Sequence, residues 1–293
     1  MTGVRRALLP ALLALALGAC GTIPPVASPV GSATPSTVPR ATAQPPAQPP
    51  AQPPTPIQPP TPTPTPTTST GTAPDTWVGH FQGHEVRVPR GHGADVSFTF
   101  DDGPWPGSTR AVLGLLQQHH VHAVFCLVGI QAKAYPSLVR REVAGGHELC
   151  DHSRDHDLTM NKKGRKYVDA EVADGLVDVE HAAPSGTPVR FYRQPGGEWT
   201  PTVVKAMAAQ GLDPLRWSDD PRDWSRPGSG VIVRRVVSHL HPGVVILMHD
   251  GGGDRSQSVE ALRFLLDAVV AAGWKPVLAP HVTLSAKAAA TPQ

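Results

Sequence analysis

Ser97-Phe98-Thr99-Phe100-Asp101-Asp102-Gly103-Pro104 decides the reading of this chain. Val96, Phe98 and Phe100 alternate with small polar residues, and two adjacent carboxylates follow just before a Gly-Pro turn. That pattern predicts a strand that delivers Asp101 and Asp102 to its own C-terminal end. Neighbouring strand residues point to opposite faces, so the pair can divide one task only if the backbone bends. Gly103-Pro104 supplies the bend. Taken alone, a solvated Asp-Asp-Gly-Pro turn reads equally well.

Outward from this stretch the pattern alternates. Strands are expected at 96–101, 122–128, 147–151, 189–193, 212–217, 244–249 and 275–279, with a short lead-in at 84–88. Helices are expected at 109–118, 136–144, 166–181, 201–210, 229–240 and 259–272. Val168, Val172, Leu176 and Val179 recur at helical spacing, as do Val259, Leu262, Leu266 and Val269. Thr200-Pro201 reads as a cap followed by proline at the first helical position. Strands alternating with helices imply a parallel sheet, closed into a barrel or open and doubly wound. The residues with chemical potential fall after five strands: Asp101-Asp102, His152 and His156, Arg193, Asp220 and Asp223, and His249. Five engaged strand ends favour an α/β barrel with its site at the C-terminal mouth, because an open sheet concentrates ligands at one switch point.

His152 and His156 are four residues apart, which on a helical turn would face the same way and hold one metal ion. Two surface histidines are the plainer reading of that pair alone. With one carboxylate from the first strand the set becomes two His and one Asp, three protein ligands with an open fourth position, as at catalytic zinc. Cys150 is a weaker candidate for a fourth ligand. Hydrolysis by water activated at a metal needs a base and an acid. The other aspartate can be the base, with Arg193 to hold and orient it, and His249 is a candidate acid that a carboxylate such as Asp223 would keep protonated. Spacing does not say which aspartate is base and which is ligand. A polar strand end for His249 and a simple salt bridge for Arg193 are the plain alternatives.

Thr99-Phe-Asp-Asp-Gly-Pro104, His152-Ser-x-x-His156, Arg193-x-Pro195-x-Gly197, Asp220-Pro-Arg-Asp-Trp224 and Leu247-Met-His249 resemble, in order, the five motifs of the polysaccharide deacetylase family, the NodB-homology domain of carbohydrate esterase family 4. The resemblance covers roughly residues 86–284. It implies a distorted (β/α)7 barrel and metal-dependent hydrolysis of N-acetyl, sometimes O-acetyl, groups on polymeric sugars. By the same likeness Asp101 is the base, Asp102, His152 and His156 are the metal ligands, Arg193 braces the base, and His249 with Asp223 is the acid. Trp224 and Leu247 would form the acetyl-methyl pocket. The family's oxyanion N–H falls at Gly196, where many members carry an aromatic residue, so a groove wall is expected to be lost here. Cys150-Asp151 departs from the small residue and Asn that members often have.

The rest of the chain sets the context. Of its 34 prolines, 18 lie between Pro24 and Pro74, and Ala-Gln-Pro-Pro occurs three times from Ala43 to Pro54. Such composition cannot offset the entropy of ordering, so 21–78 is expected to be a disordered, polyproline-like linker. About 55 residues at about 3.1 Å each would reach about 170 Å, enough for a stalk. Arg5-Arg6, the apolar run 7–17 and Leu17-Gly-Ala-Cys20 resemble a bacterial lipoprotein signal, 1–20, with Cys20 lipidated; an ordinary cleaved signal peptide is the alternative. The domains are then 1–20, the linker, a catalytic domain at 79–285 and a tail at 286–293. Export and anchoring on the outer face of the membrane follow, with secretion as the alternative. Export would permit a disulfide between Cys126 and Cys150; two buried thiols read equally well. A formal net charge of +2 gives no case for nucleic acid, and a monomer is expected. The function so read is deacetylation of peptidoglycan first and chitooligosaccharide next, with zinc the first choice of divalent metal. The alternatives are a hydrolase of a small non-sugar amide and a non-catalytic glycan-binding lipoprotein.

Overall fold

A computed structural model describes residues 75–280. The expected signal, Cys20, nearly all of the linker and the tail lie outside the described residues. The described part opens with a hairpin, β1 (Thr76–Phe81) and β2 (His84–Pro89), joined by Gln82-Gly83, both at positive φ. The sequence reading expected only the second of these strands and placed the domain start at 79; Gly79 and the intervening polar residues hide the alternation of the first.

Then the alternating units follow. They are β3 (Asp95–Asp101), α1 (Ser108–Gln118), β4 (Val124–Leu127), α2 (Gly129–Ala134), α3 (Pro136–Ala144), β5 (Glu148–Asp151), α4 (Arg165–Ala182), β6 (Val189–Tyr192), α5 (Pro201–Ala209), β7 (Asp213–Pro214), α6 (Ser229–Ser238), β8 (Val244–His249), α7 (Ser256–Ala271) and β9 (Lys275–Pro276). The strands run parallel in the order β7-β6-β5-β4-β3-β8, with β9 paired to the start of β3. Ser218 and Asp219 bridge toward the far side of β8, through Asp219 and Ile246. The result is the α/β barrel the sequence predicted, distorted where β7 has shrunk: Pro214 has no N–H to extend the ladder.

Phe98 and Phe100 on β3, Phe125 on β4 and Ile246 and Met248 on β8 are buried between the sheet and the helices α1, α6 and α7. Burying each such side chain contributes about 1.5–3 kcal/mol, which holds β3 and β8 at the centre of the molecule. Thr200 caps α5 by accepting from the Val203 N–H, as its sequence predicted. Cys126 and Cys150 are register partners on β4 and β5 and form a disulfide, Cα to Cα 4.2 Å.

Candidate active site

Asp101 is the last residue of β3 and is buried. Asp102 leaves the strand with φ +73, so its carboxylate turns to a different neighbour. Two glycines make that turn close-packed. A Cβ on Gly103 would meet the Asp250 carboxylate, and one on Gly251 would collide with the Asp102 backbone.

Arg193, just past β6, is 0% exposed. Its Nη1 donates to Asp101 Oδ1 at 2.6 Å and to Thr99 Oγ1 at 2.9 Å, its Nε donates to the Leu215 carbonyl, and its guanidinium lies 5.6 Å from the Trp217 ring. A buried guanidinium is tolerable only when paired and hydrogen-bonded like this. It leaves Asp101 Oδ2 on the side of His152, 3.5 Å from Nε2.

His152 donates from Nδ1 to the Arg193 carbonyl at 2.7 Å, which fixes the tautomer that leaves a lone pair on Nε2. That nitrogen and His156 Nε2 lie 3.6 and 3.1 Å from Asp102 Oδ1. Oδ1 itself is buried with no well-aimed donor. The three ligand atoms fall within 4.8 Å of one another, and this is the group of its kind among the described residues. Lone pairs converging on one point repel unless a cation lies between them, so the donor set fits a divalent metal with hard and borderline ligands. Burial opposes the charge on Asp102, but the two imidazoles outweigh it and hold the carboxyl well below its usual range.

The His-x3-His spacing does not work as expected. Residues 152–156 form no helical turn; Ser153 and His156 both take positive φ, and Ser153 Oγ accepts from the His156 N–H. The loop is pinned from behind by Gly129 N–H to Ser153 O and Arg154 N–H to Glu171 O. Both imidazoles still reach one point, by loop geometry.

Across the mouth, His249 ends β8 in register with Asp101. Its Nδ1 donates to Asp223 Oδ1 at 2.7 Å, while Asp223 Oδ2 accepts from the His249 N–H at 3.0 Å and from Ser258 Oγ at 2.6 Å. Burial lowers the imidazole's affinity for a proton, but Asp223 and the nearby Asp102 and Asp101 more than reverse this, and its pKa is pushed up to about 9. A protonated His249 at neutral pH, with Nε2 free, is chemically a general acid.

The other expected residues divide. Leu247 is buried on the same face of β8 as His249, and Trp224 follows Asp223 with 49% exposure. Gly196 has φ +66, and Leu158 Cδ2 would lie 3.2 Å from a Cβ there, so an exposed leucine from the ligand loop stands beside the position where the sequence had predicted a lost wall. Asp220 accepts from the Arg222 N–H and serves the turn. Asp151 faces Gly175 of α4 and joins no ligand set; Cys150 is spent in the disulfide. The sequence reading missed Ser258 and Leu158, 35 and 38 residues from their partners, because neither carries a motif.

With this geometry in place, comparison with known proteins is specific. A family model described as polysaccharide deacetylase matches residues 90–215. A chitooligosaccharide deacetylase of Sinorhizobium fredii is 41% identical over 194 residues, covering 62% of this chain and 89% of the relative. A peptidoglycan-N-acetylglucosamine deacetylase of Bacillus cereus is 36% identical, covering 61% and 84%. A family 4 carbohydrate esterase from Streptomyces lividans, solved with acetate, superposes with a TM-score of 0.56 at 33% identity, covering 62% and 90%.

Proposed function

The chain belongs to the polysaccharide deacetylase family and is a polysaccharide N-deacetylase, and from that premise we propose that it hydrolyses the N-acetyl groups of peptidoglycan first, and of chitooligosaccharide next, with a divalent metal held by Asp102, His152 and His156. The observation that carries the reading is the convergence of those three ligand atoms beside the buried Asp101, with His249 in register opposite.

A divalent cation held there, zinc as first choice, supplies the Lewis acidity that polarises the acetyl carbonyl and acidifies water. Asp101, charge-paired and oriented by Arg193, takes the proton of the attacking water. As the new C–O bond forms, the Gly196 N–H receives the developing oxyanion. His249 gives its proton to the sugar nitrogen as the C–N bond breaks, and Asp223 with Ser258 keeps the imidazole aimed. Trp224 and Leu247 receive the acetyl methyl. Acetate and a free amine leave, and no covalent intermediate is needed.

The domain arrangement belongs to the same proposal: a signal at 1–20, a stalk at 21–78 and a catalytic domain that works as a monomer outside the cell, anchored through Cys20. The disulfide supports an oxidising compartment. Two relatives named for chito- and peptidoglycan substrates share acetylated glucosamine chemistry, and a stalk suits a wall polymer. Acetate release from the two polymers, measured side by side with mass spectrometry of the mature N-terminus, tests substrate and anchor. Acetate from neither polymer would favour the small-amide hydrolase or the glycan-binding module.

A further inference from the structure

Beside the catalytic mouth, a cavity of about 560 Å³ opens between the first turns of α1 and α7, and the catalytic set leaves it unused. One wall is the indole of Trp105, 36% exposed. Ser108 and Val259 line it below, Asp254 and Arg255 form the facing wall, and Arg263 stands two turns further along α7. From Arg255 to Arg263 the helix rises about 12 Å, longer than one sugar ring.

The cavity is flanked by two segments that neighbour Asp102, one of the candidate metal ligands. Trp105 sits three residues after Asp102, on the turn leaving β3. On the other side, Gly252 packs so closely on Asp102 that a Cβ would lie 2.6 Å from its Oδ2, and the next residue, Gly253, lines the cavity.

Both walls are set in advance. The Trp105 backbone N–H donates to Thr109 Oγ1 at 2.7 Å, which seats the residue's main chain on the start of α1. Arg255 is buried, and its guanidinium donates to the carbonyls of Gly251, Gly252 and Trp224 at 2.6, 3.1 and 3.3 Å, tying the 251–254 loop to the segment that carries Trp224. With the Ser108 hydroxyl and the Arg255 guanidinium both bonded to backbone carbonyls, the part-exposed Trp105 side chain and the charged groups of Asp254 and Arg263 are what the cavity offers a ligand. They match a pyranose, whose C–H face stacks on aromatic rings while its hydroxyls take the polar rim.

We infer that this groove is a sugar subsite, built on Trp105, that grips a unit of the glycan neighbouring the one deacetylated, so that the enzyme prefers oligomers to short fragments. The inference rests on the deacetylase reading and deepens it. Asp254 and Arg263 set the polar rim, and Trp105 supplies the stacking surface.

The test uses the full chain loaded with zinc, with chitotetraose and chitobiose as probes. Trp105→Ala is expected to lower the tetramer-to-dimer ratio of kcat/KM about three- to tenfold, through KM, and Trp105→Tyr to restore most of it. In the Asp101→Asn background, where turnover is slower by at least about a hundredfold, the Kd for chitotetraose should weaken with Trp105→Ala by the same factor. An unchanged ratio together with an unchanged Kd in a folded Trp105→Ala variant overturns the subsite. Trp105-dependent binding with no acetate from either oligomer or from peptidoglycan would instead overturn the deacetylase reading and leave the subsite standing.

Discussion

Asp101 and His249 are register partners on two adjacent parallel strands, each the last residue of its strand. Register partners project from the same face, so the strand pairing itself sets the two groups side by side at the mouth. Each is then committed by one further bond, Asp101 to Arg193 and His249 to Asp223. The separation of the proposed base from the proposed acid is thus a property of the sheet, and their orientation a property of two buried ion pairs.

Removing the base should leave the site assembled. Asp101→Asn is expected to lower kcat by about 10² to 10⁴ while retaining one bound metal per chain, measured by metal analysis of the purified protein. Arg193→Ala should behave differently, because it strands a buried carboxylate; such losses cost about 3–5 kcal/mol and would appear as a lower denaturation midpoint. A silent Arg193→Ala would contradict the bracing role.

The alkaline side of the pH profile belongs to His249. Its pKa lies above the ordinary 6.5, at about 9, so its contribution to stability is complete below about 6.5 and is lost as pH rises through about 9. In the proposed mechanism the same proton is the one given to the leaving amine. A bound cation offsets the field of Asp102, so the alkaline limb of kcat/KM in the metal-loaded enzyme should fall below that value. Asp223→Asn should move the limb further down, toward 6.5. A limb that does not move would dissociate Asp223 from the acid.

Metal and fold should be linked through Asp102, His152 and His156. A ligand at 1,000 times its Kd stabilises the folded state by about 4 kcal/mol, so chelation should lower the melting temperature and added zinc restore it. His152→Ala should abolish the zinc-dependent increment. An equal zinc response in that variant would place the ion elsewhere.

The disulfide closes a loop across 24 residues between β4 and β5. In the chain-entropy account such a loop is worth about 3 kcal/mol. Cys126→Ser with Cys150→Ser should therefore lower the denaturation midpoint, and thiol titration of the denatured parent should find neither cysteine free. Two free thiols at these positions would contradict the pairing.

How much of this was legible follows from where information sits in the chain. The strand-end residues were readable because a parallel α/β barrel gathers chemistry at one end of its strands, so Asp101, His152, Arg193 and His249 each sit at or just beyond a strand, while Asp223 lies well past β7 and is tied to the mouth by its bonds to His249. Helix α3 was expected with the bounds it has, since Pro136 marks its first residue. Conformation within the ligand loop was not readable: Ser153 and His156 take positive φ in a loop whose backbone is bonded to α2 and α4, partners distant in sequence from it. Nor was α2, six residues without a cap side chain. The hairpin strand β1 was hidden by Gly79 and the polar residues that interrupt its alternation. The pairing of Cys126 with Cys150 required the β4–β5 register, which spacing alone does not fix.

One measurement bears most directly on metal-dependent deacetylation: acetate released from peptidoglycan and from chitooligosaccharide by the full chain, metal-stripped and zinc-loaded, beside Asp101→Asn. The account predicts acetate only from the zinc-loaded parent, with the variant reduced by at least about a hundredfold. Acetate from the stripped protein at the same rate, or an undiminished Asp101→Asn, would contradict it.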